Sequence, residues 1–299
     1  LTQRLAGRSY KMAISLGGGG SASQVNETID INSAENLITL ADGRVYLKGG
    51  VTETDVAAYP DATASFAYSG VYIAVGSQGT TPLGVTWDGT YFWILNAQVV
   101  YKYNAAGVYQ NVSWSVNSQT NSGRDIVWDG TNFWVVGRNQ DTIYSYNASG
   151  VYRNVSFSIT GAGVSGYAEG IAWDGTYFWI TNYNGNGVFK FSASGVYQNV
   201  TFATSSQDTN MKAITWDGTH FWTVGTTNDK MYKYTAAGVY TGVDVSIASY
   251  EGNAEGLVAV GAALWVIGTD SDALLKFQPQ IGVANQASTQ GRQNYVRIK

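Results

Sequence analysis

The sequence predicts an all-β protein with the architecture of a five-bladed β-propeller. A unit of about 43 residues recurs between Gly84 and Phe277, and each unit reads as four short strands. Four-stranded units repeated at this spacing are typical of propeller blades. The composition agrees, because Gly (36) and Tyr (21) are frequent while Pro (3) is rare, which suits strands joined by tight turns.

The first two strands of each unit are marked by a Trp-Asp-Gly-Thr-x-Phe-Trp motif. Four copies (GVTWDGTYFWIL, DIVWDGTNFWVV, GIAWDGTYFWIT and AITWDGTHFWTV) begin at Gly84, Asp125, Gly170 and Ala213, and a worn fifth copy, GLVAVGAALWVI, begins at Gly256. Asp-Gly between two apolar runs predicts a two-residue hairpin turn in which both central residues have a left-handed backbone. The motif therefore predicts one hairpin per blade.

The last two strands of each unit follow from alternating aromatic residues and a small-residue turn. The aromatic pairs are Tyr101 and Tyr103, Tyr144 and Tyr146, Phe189 and Phe191, and Tyr232 and Tyr234. The turn and fourth strand recur as segments such as NASGVYRNVSF. The fifth unit lacks a clear fourth strand, whereas a spare one (SFAYSGVYIAV, residues 65–75) precedes the first unit and matches the end of the third strand and the fourth strand of the others.

We expect this N-terminal strand, at residues 70–76, to complete the fifth blade and close the ring. The alternative is that residues 282–287 supply the strand locally, although Pro279 stands in the way. The predicted organisation is thus an attachment or shaft segment (1–64), the propeller (65–278) and a short tail (279–299). Neither flank could bury a core alone, so each should pack on the propeller, pair with another copy or join a larger assembly.

Residues that repeat from blade to blade are interpreted as scaffold. The aspartates suit turns better than a metal or catalytic ring, and the aromatic residues suit packing between blades. Asn-Val-Ser/Thr triplets at Asn111, Asn154 and Asn199 match the glycosylation pattern, but they recur with the blade and are interpreted as strand chemistry. The structural set is Asp88, Trp93, Asp129, Trp134, Asp174, Trp179, Asp217, Trp222 and Trp265.

Two sets of loops differ between copies, and strand alternation puts both at the end of the ring opposite the Asp-Gly hairpins. Variable loops on a regular scaffold commonly carry binding residues, so we expect a ligand-binding face here. The candidates are Arg124, Arg138, Tyr167, Glu169, Tyr183, Lys212, Tyr250, Glu251, Glu255 and Asp270.

Catalytic chemistry is not predicted. Cysteine is absent and His220 is the only histidine, so neither a metal site, a cofactor nor a nucleophile–His–Asp system is expected. Glu169 and Glu255 could approach the central channel as a carboxylate pair. Their counterparts, however, are Leu83, Arg124 and Lys212, a mixture that reads as ordinary surface variation.

Nucleic acid and membrane are not expected partners. The net charge is -4, whereas a nucleic-acid surface needs clustered cations. The longest apolar run near the N-terminus, residues 12–16, is far too short to span a bilayer.

One segment adds a resemblance. Residues 41–66 (ADGRVYLKGGVTETDVAAYPDATASF), followed by the WDGTxFW repeats, NASGVY turns and a tail ending in NYVRIK, resemble bacteriophage tail-fibre and tail-tip proteins. The resemblance implies a virion component, exposed outside the host cell, present in several symmetric copies such as a trimer. It also implies that residues 1–64 bind other tail proteins and that the distal domain touches a host receptor. No catalytic residues carry over.

The expected function is therefore recognition of a host surface, a glycan or a protein, through the variable loops. Aromatic, amide and charged groups together favour a glycan. One alternative is a purely structural or decoration protein of the virion. Another is a secreted bacterial lectin, although lectin blades would be expected to repeat their sugar-binding residues.

Overall fold

The computed structural model describes residues 66–162, 167–183 and 187–279, together with the backbone of four short strands before them. These strands are β1 (Tyr10–Ile14), β2 (Val25–Ile29), β3 (Leu37–Ala41) and β4 (Arg44–Leu47); β1 pairs with β2 and β3 with β4. The chain divides into two compact units, Phe66–Gln278 and the two flanks outside it.

Five antiparallel four-stranded sheets form the larger unit, which confirms the five-bladed propeller. Blade 1 contains β6 (Pro82–Trp87), β7 (Tyr91–Asn96), β8 (Val99–Asn104) and β9 (Tyr109–Ser115). Blade 2 contains β10 (Gly123–Trp128), β11 (Asn132–Gly137), β12 (Thr142–Asn147) and β13 (Tyr152–Ser158). Blade 3 contains β14 (Ala168–Trp173), β15 (Tyr177–Asn182), β16 (Gly187–Ser192) and β17 (Tyr197–Ala203).

Blade 4 contains β18 (Met211–Trp216), β19 (His220–Gly225), β20 (Lys230–Thr235) and β21 (Tyr240–Ser246). Blade 5 contains β22 (Ala254–Val260), β23 (Ala263–Gly268) and β24 (Ala273–Pro279), with β5 (Phe66–Ala74) as its outer strand. A 3₁₀ turn, Thr160–Ala162, follows β13.

The first strand of each blade lies innermost. Strands β6, β10, β14, β18 and β22 contact one another in cyclic order and line the central channel. Hairpins between first and second strands, and between third and fourth, lie at one end of the ring, which we call the hairpin end. The remaining loops lie at the opposite end, which we call the loop end.

The fifth blade is closed by the strand that precedes the first. Val75 N donates to Asp272 O (2.9 Å), and Tyr68 packs on Phe277 with ring centroids 5.8 Å apart, so β5 runs antiparallel to β24. The strand β5 therefore begins at the hairpin end, where β24 finishes. Consequently the chain both enters and leaves the propeller at the hairpin end. The alternative closing segment, residues 282–287, lies outside the described residues.

The register of β5 differs from the sequence-based expectation. Tyr68 packs on Phe277 as Tyr109 packs on Tyr103 in blade 1, so the whole of β5 is a fourth strand and its Gly-Val-Tyr is not the turn. Gly70 (φ 81°) instead takes the bulge position that Asn111 (φ 56°) occupies in blade 1. Asn154, Asn199 and Gly242 have positive φ at the same position, which accounts for the repeated asparagines as strand chemistry.

The hairpin motif is held together by its aspartate side chain. Asp88 Oδ1 accepts hydrogen bonds from the backbone N–H of Thr90 (2.8 Å) and Tyr91 (2.7 Å), and Oδ2 accepts one from the Trp93 indole (2.7 Å). Asp129, Asp174 and Asp217 make the same three bonds in their blades. Only the glycine is left-handed (Gly89, φ 99°), so the predicted turn with two left-handed residues was wrong. Aspartate is needed for its carboxylate rather than for its backbone.

The core lies between the blades. The second-strand Trp of one blade packs against the second-strand Phe of the next, with ring centroids 4.6–4.9 Å apart, in the pairs Trp93–Phe133, Trp134–Phe178, Trp179–Phe221 and Trp265–Phe92. In blade 5 the Phe position is Leu264, and Phe66 of β5 packs on Trp222 instead (5.0 Å). The closing strand thus supplies the aromatic ring that the worn repeat lacks.

Candidate functional site

The second residues of the five innermost strands form a ring around the channel at the loop end. They are Leu83, Arg124, Glu169, Lys212 and Glu255. Because the innermost strands are cyclic neighbours, equivalent positions on them face one another around the axis. Four charges of alternating sign and one leucine therefore surround the mouth of the channel.

Ion pairs connect this ring. Glu169 lies 3.6 Å from Arg124 Nε and 3.0 Å from Arg138 Nη2, and Lys212 Nζ lies 3.3 Å from Glu255. Burial raises the pKa of Glu169, while the charges of Lys212, Arg124 and Arg138 oppose that rise. Such a buried group is retained only when it is well paired. The expectation of ordinary surface variation at these positions was therefore wrong, because these charges complement one another across blades.

Two tyrosines flank the mouth on blade 3. The rings of Tyr167 and Tyr183 are stacked with an interplanar angle of 24° and centroids 6.3 Å apart. The guanidinium carbon of Arg138 lies 5.5 Å from the Tyr167 centroid and 5.7 Å from that of Tyr183, and Lys212 Nζ lies 5.4 Å from the latter. Cations at these distances are attracted to aromatic faces. Tyr167 is exposed, so this cluster combines accessible aromatic surface with charge.

The mouth cluster thus contains seven of the ten predicted ligand-binding residues. They come from four blades and from both kinds of variable loop: Arg124, Arg138, Tyr167, Glu169, Tyr183, Lys212 and Glu255. Its tyrosine rings can stack on an apolar face, its cations can donate hydrogen bonds, and its carboxylates can accept them. This combination suits binding of a polar ligand with flat apolar faces.

A buried carboxyl lies one residue deeper in the channel, and sequence reasoning missed it. Asp125 occupies a position that is Gly84, Gly170, Ala213 or Gly256 in the other blades. Its Oδ1 accepts from Ile126 N (2.8 Å), and its Oδ2 accepts from Ile171 N (2.9 Å) in the next blade. Burial raises the pKa of Asp125 well above its usual range, against the hydrogen bonds from the backbone N–H groups.

The neighbouring first blade leaves room for this carboxyl. A Cβ at Gly84 would lie 2.6 Å from Asp125, so the adjacent blade must leave this space empty. The departure from a small residue in DIVWDGTNFWVV was the available signal.

The other three predicted ligand-binding residues lie in blade 5, apart from the mouth cluster. The buried carboxylate of Glu251 accepts bonds from the N–H groups of Asn253 (2.9 Å), Asp270 (3.2 Å) and Ser271 (3.1 Å), and from the Ser271 hydroxyl (2.6 Å). Tyr250 packs on Tyr68 with centroids 4.4 Å apart. Glu251 therefore braces loops and Tyr250 braces the closing strand, while Asp270 is exposed beside Glu251.

The hairpin-end half of the channel is a cavity of about 120 Å³ lined by the innermost strands. Trp87, Trp128, Trp173 and Trp216 line it, and each packs on the Phe of its own hairpin with centroids 4.6 Å apart. Within the described part of the chain, no group of three His, Cys, Asp or Glu side chains could hold a metal ion. Nor does any described helix have the length and hydropathy of a membrane span.

Comparison with known proteins supports the fold and gives no information beyond it. No family model matches the chain, and no curated protein matches it either. Among solved structures, glutaminyl cyclase of Myxococcus xanthus is similar (TM-score 0.58) at 8% identity, over 72% of this chain and 96% of that one.

Two other solved structures are more distant in shape. Catalytically inactive virginiamycin B lyase of Staphylococcus aureus is similar with a TM-score of 0.43 and 17% identity over 66% of each chain. Aldose sugar dehydrogenase of Streptomyces coelicolor has a TM-score of 0.49 and 10% identity, over 74% of this chain and all (100%) of that one. Identities this low give no information about shared activity.

Proposed function

We propose that the chain is a host-recognition protein of a bacteriophage tail fibre or tail tip, and that the mouth cluster binds a glycan of the host surface. The observation that carries the proposal is the pairing of Tyr167 and Tyr183 beside Arg138 and Lys212 at the loop end. Aromatic faces cover the C–H faces of sugar rings, and neighbouring charged groups bond to hydroxyls.

The path of the chain supports the same proposal. Because β5 begins and β24 finishes at the hairpin end, both flanks join the propeller there. The loop end has no covalent attachment to a flank. A protein held in a virion through residues 1–64, as the tail-fibre resemblance implies, would attach from the end opposite to its binding cluster.

Adsorption of the full-length protein to host cells tests the proposal. Tyr167→Ala and Tyr183→Ala should each weaken adsorption about tenfold, since each removes one stacking surface. Tyr72→Ala is the matched control, because Tyr72 is an exposed tyrosine on the outer strand of blade 5, outside the cluster. Equal adsorption by all three variants and the unaltered protein would reject the glycan-binding role and favour a purely structural part of the virion.

A further inference from the structure

We propose that the mouth cluster selects an anionic sugar, one whose ring lies on the tyrosines while its carboxylate or phosphate group meets Arg138 and Lys212. This inference rests on the proposed glycan-binding function and adds the class of glycan. Four features of the cluster carry it: the depth of its charges, the position of Arg138, the partly exposed guanidinium of Arg124, and the acidic loops beside it.

The two signs of charge lie at different depths. The side chains of Glu169 and Glu255 are 2% and 9% exposed, whereas those of Arg124, Arg138 and Lys212 are 24%, 19% and 13% exposed. The carboxylates therefore lie beneath and hold the cations in place, and an approaching ligand meets mainly positive charge. With three cations and two carboxylates the cluster has a formal net charge of +1, in a chain whose net charge is -4.

Arg138 is placed to read a substituent on a stacked sugar. Its guanidinium lies 5.5 and 5.7 Å from the two tyrosine centroids, and Lys212 lies 5.4 Å from the Tyr183 centroid on a different blade. A sugar ring on Tyr183 would thus have a cation within reach from each of two blades. The planar fork of arginine matches the two oxygens of a carboxylate or phosphate.

The internal ion pairs leave hydrogen-bonding capacity unused. Arg124 Nε is 3.6 Å from Glu169, which is longer than a hydrogen bond, and among the described residues it has no acceptor. Nε itself is buried, but the Arg124 side chain is 24% exposed, so the outer part of its guanidinium is open to an incoming anion. Glu169 is shared by Arg124 and Arg138, so one carboxylate balances two guanidinium groups, and a neutral sugar would leave the excess positive charge in place.

The neighbouring loops at the loop end carry four acidic residues, of which Asp208 and Glu251 are buried while Asp229 and Asp270 lie nearer the surface. Asp208, Asp270 and Glu251 lie close enough to Asp229 to raise its pKa, although burial is the larger cause. These residues belong to loops of blades 4 and 5. Like charges repel, so an anionic sugar would be directed away from this region and towards the cationic mouth.

Binding of a glucuronic-acid oligosaccharide to the full-length protein, compared with its carboxyl-reduced neutral counterpart, tests the inference. The acidic probe should bind about tenfold more tightly, and its advantage should shrink between about 0.05 M and about 0.5 M salt. Arg138→Gln should remove most of that advantage while leaving weak binding of the neutral probe, and Arg138→Lys should keep part of it. A third probe carrying a sugar phosphate separates the two anions, and tighter binding of either supports the inference.

Lys230→Gln is the control for loss of one positive charge, because Lys230 pairs with Asp244 (2.9 Å) in blade 4, away from the mouth cluster. Thermal melting of each variant separates loss of binding from loss of folding. Equal binding of acidic and neutral probes, with Tyr183→Ala still weakening both, would overturn the anionic class and leave glycan recognition intact. If no sugar probe binds and Tyr183→Ala leaves adsorption to host cells unchanged, both proposals are overturned.

Discussion

The two ends of the ring are built by opposite means. At the hairpin end, one local set of hydrogen bonds recurs in four blades, each between an aspartate and residues two to five positions later. At the loop end, no two blades carry the same charge pattern, and the ion pairs of the mouth cluster join residues of different blades. The repeated bonds of the hairpin end stabilise each blade separately, whereas the ion pairs of the mouth cluster depend on differences between blades.

Removing the closing strand β5 should have the largest effect, because β5 spans blade 5 from the hairpin end to the loop end. Deletion of residues 1–75 removes Phe66, Tyr68, Ile73 and Val75 from the core of blade 5. We expect loss of cooperative unfolding, which corresponds to a loss of about 5 kcal/mol or more of stability. Circular dichroism melting measures it, with deletion of residues 1–64 as the control that keeps β5. A cooperative transition in the longer deletion would mean that another segment closes the ring.

The repeated aspartate should matter for stability and not for binding. Asp129→Ala removes the acceptor of bonds from Thr131 N, Asn132 N and the Trp134 indole. The expected cost is about 2–3 kcal/mol in the free energy of unfolding, because the indole N–H becomes a half-buried donor without a partner. Denaturant titration measures this cost, and Thr131→Ala serves as the neutral neighbour. Adsorption weakened by Asp129→Ala in the folded protein would contradict the division between the two ends.

The carboxyl beneath the mouth should make stability depend on pH. Burial raises the pKa of Asp125 in the folded state, so its stabilising contribution is present at low pH and is lost as pH rises through that folded pKa. Asp125→Asn cannot ionise. Its melting temperature relative to the unaltered protein should therefore improve by a few degrees between about pH 5 and about pH 9.

Asp270→Asn, which replaces an exposed acid at the same end, is the control for the loss of one carboxyl group. A difference for Asp125→Asn that moves in the opposite direction would mean that the backbone N–H groups outweigh burial.

The smallest effect comes from giving blade 5 the bond it lacks. Val260 stands five residues before Trp265, as Asp88 stands before Trp93, and Gly261 is left-handed (φ 59°) like Gly89. Val260→Asp should add about 0.5–1 kcal/mol through the indole and backbone bonds, less the packing that the valine loses. Val260→Ala measures that packing alone. A variant less stable than Val260→Ala would show that this hairpin cannot adopt the shared geometry.

Most of the scaffold was predictable because its interactions are local. The WDGTxFW motif indicated the blade number and the hairpins directly, since the aspartate and its partners lie within five residues. The register of β5 was not predictable in this way. Its Gly-Val-Tyr matches the turn in sequence, yet the contact of Tyr68 with Phe277, more than half the chain away, decides the alignment.

The sequence predicted which residues form the mouth cluster, but not how they pair or how deeply they are buried. Position alone indicated seven of its residues, but the burial of Glu169 depends on Arg124 and on Arg138 from a separate loop, which a single repeat cannot reveal. The sequence shows that this position differs between blades, but it does not show that Glu169 is buried or that these charges pair across blades.

The closing strand also determines how the molecule would respond to a pulling force. Tension between the N-terminal flank and a ligand held at the loop end would enter at Phe66 and act along the length of β5. Its hydrogen bonds with β24 would then be sheared together rather than peeled apart one after another. A pull on the N-terminal end of β5 would therefore be resisted by several hydrogen bonds acting in parallel.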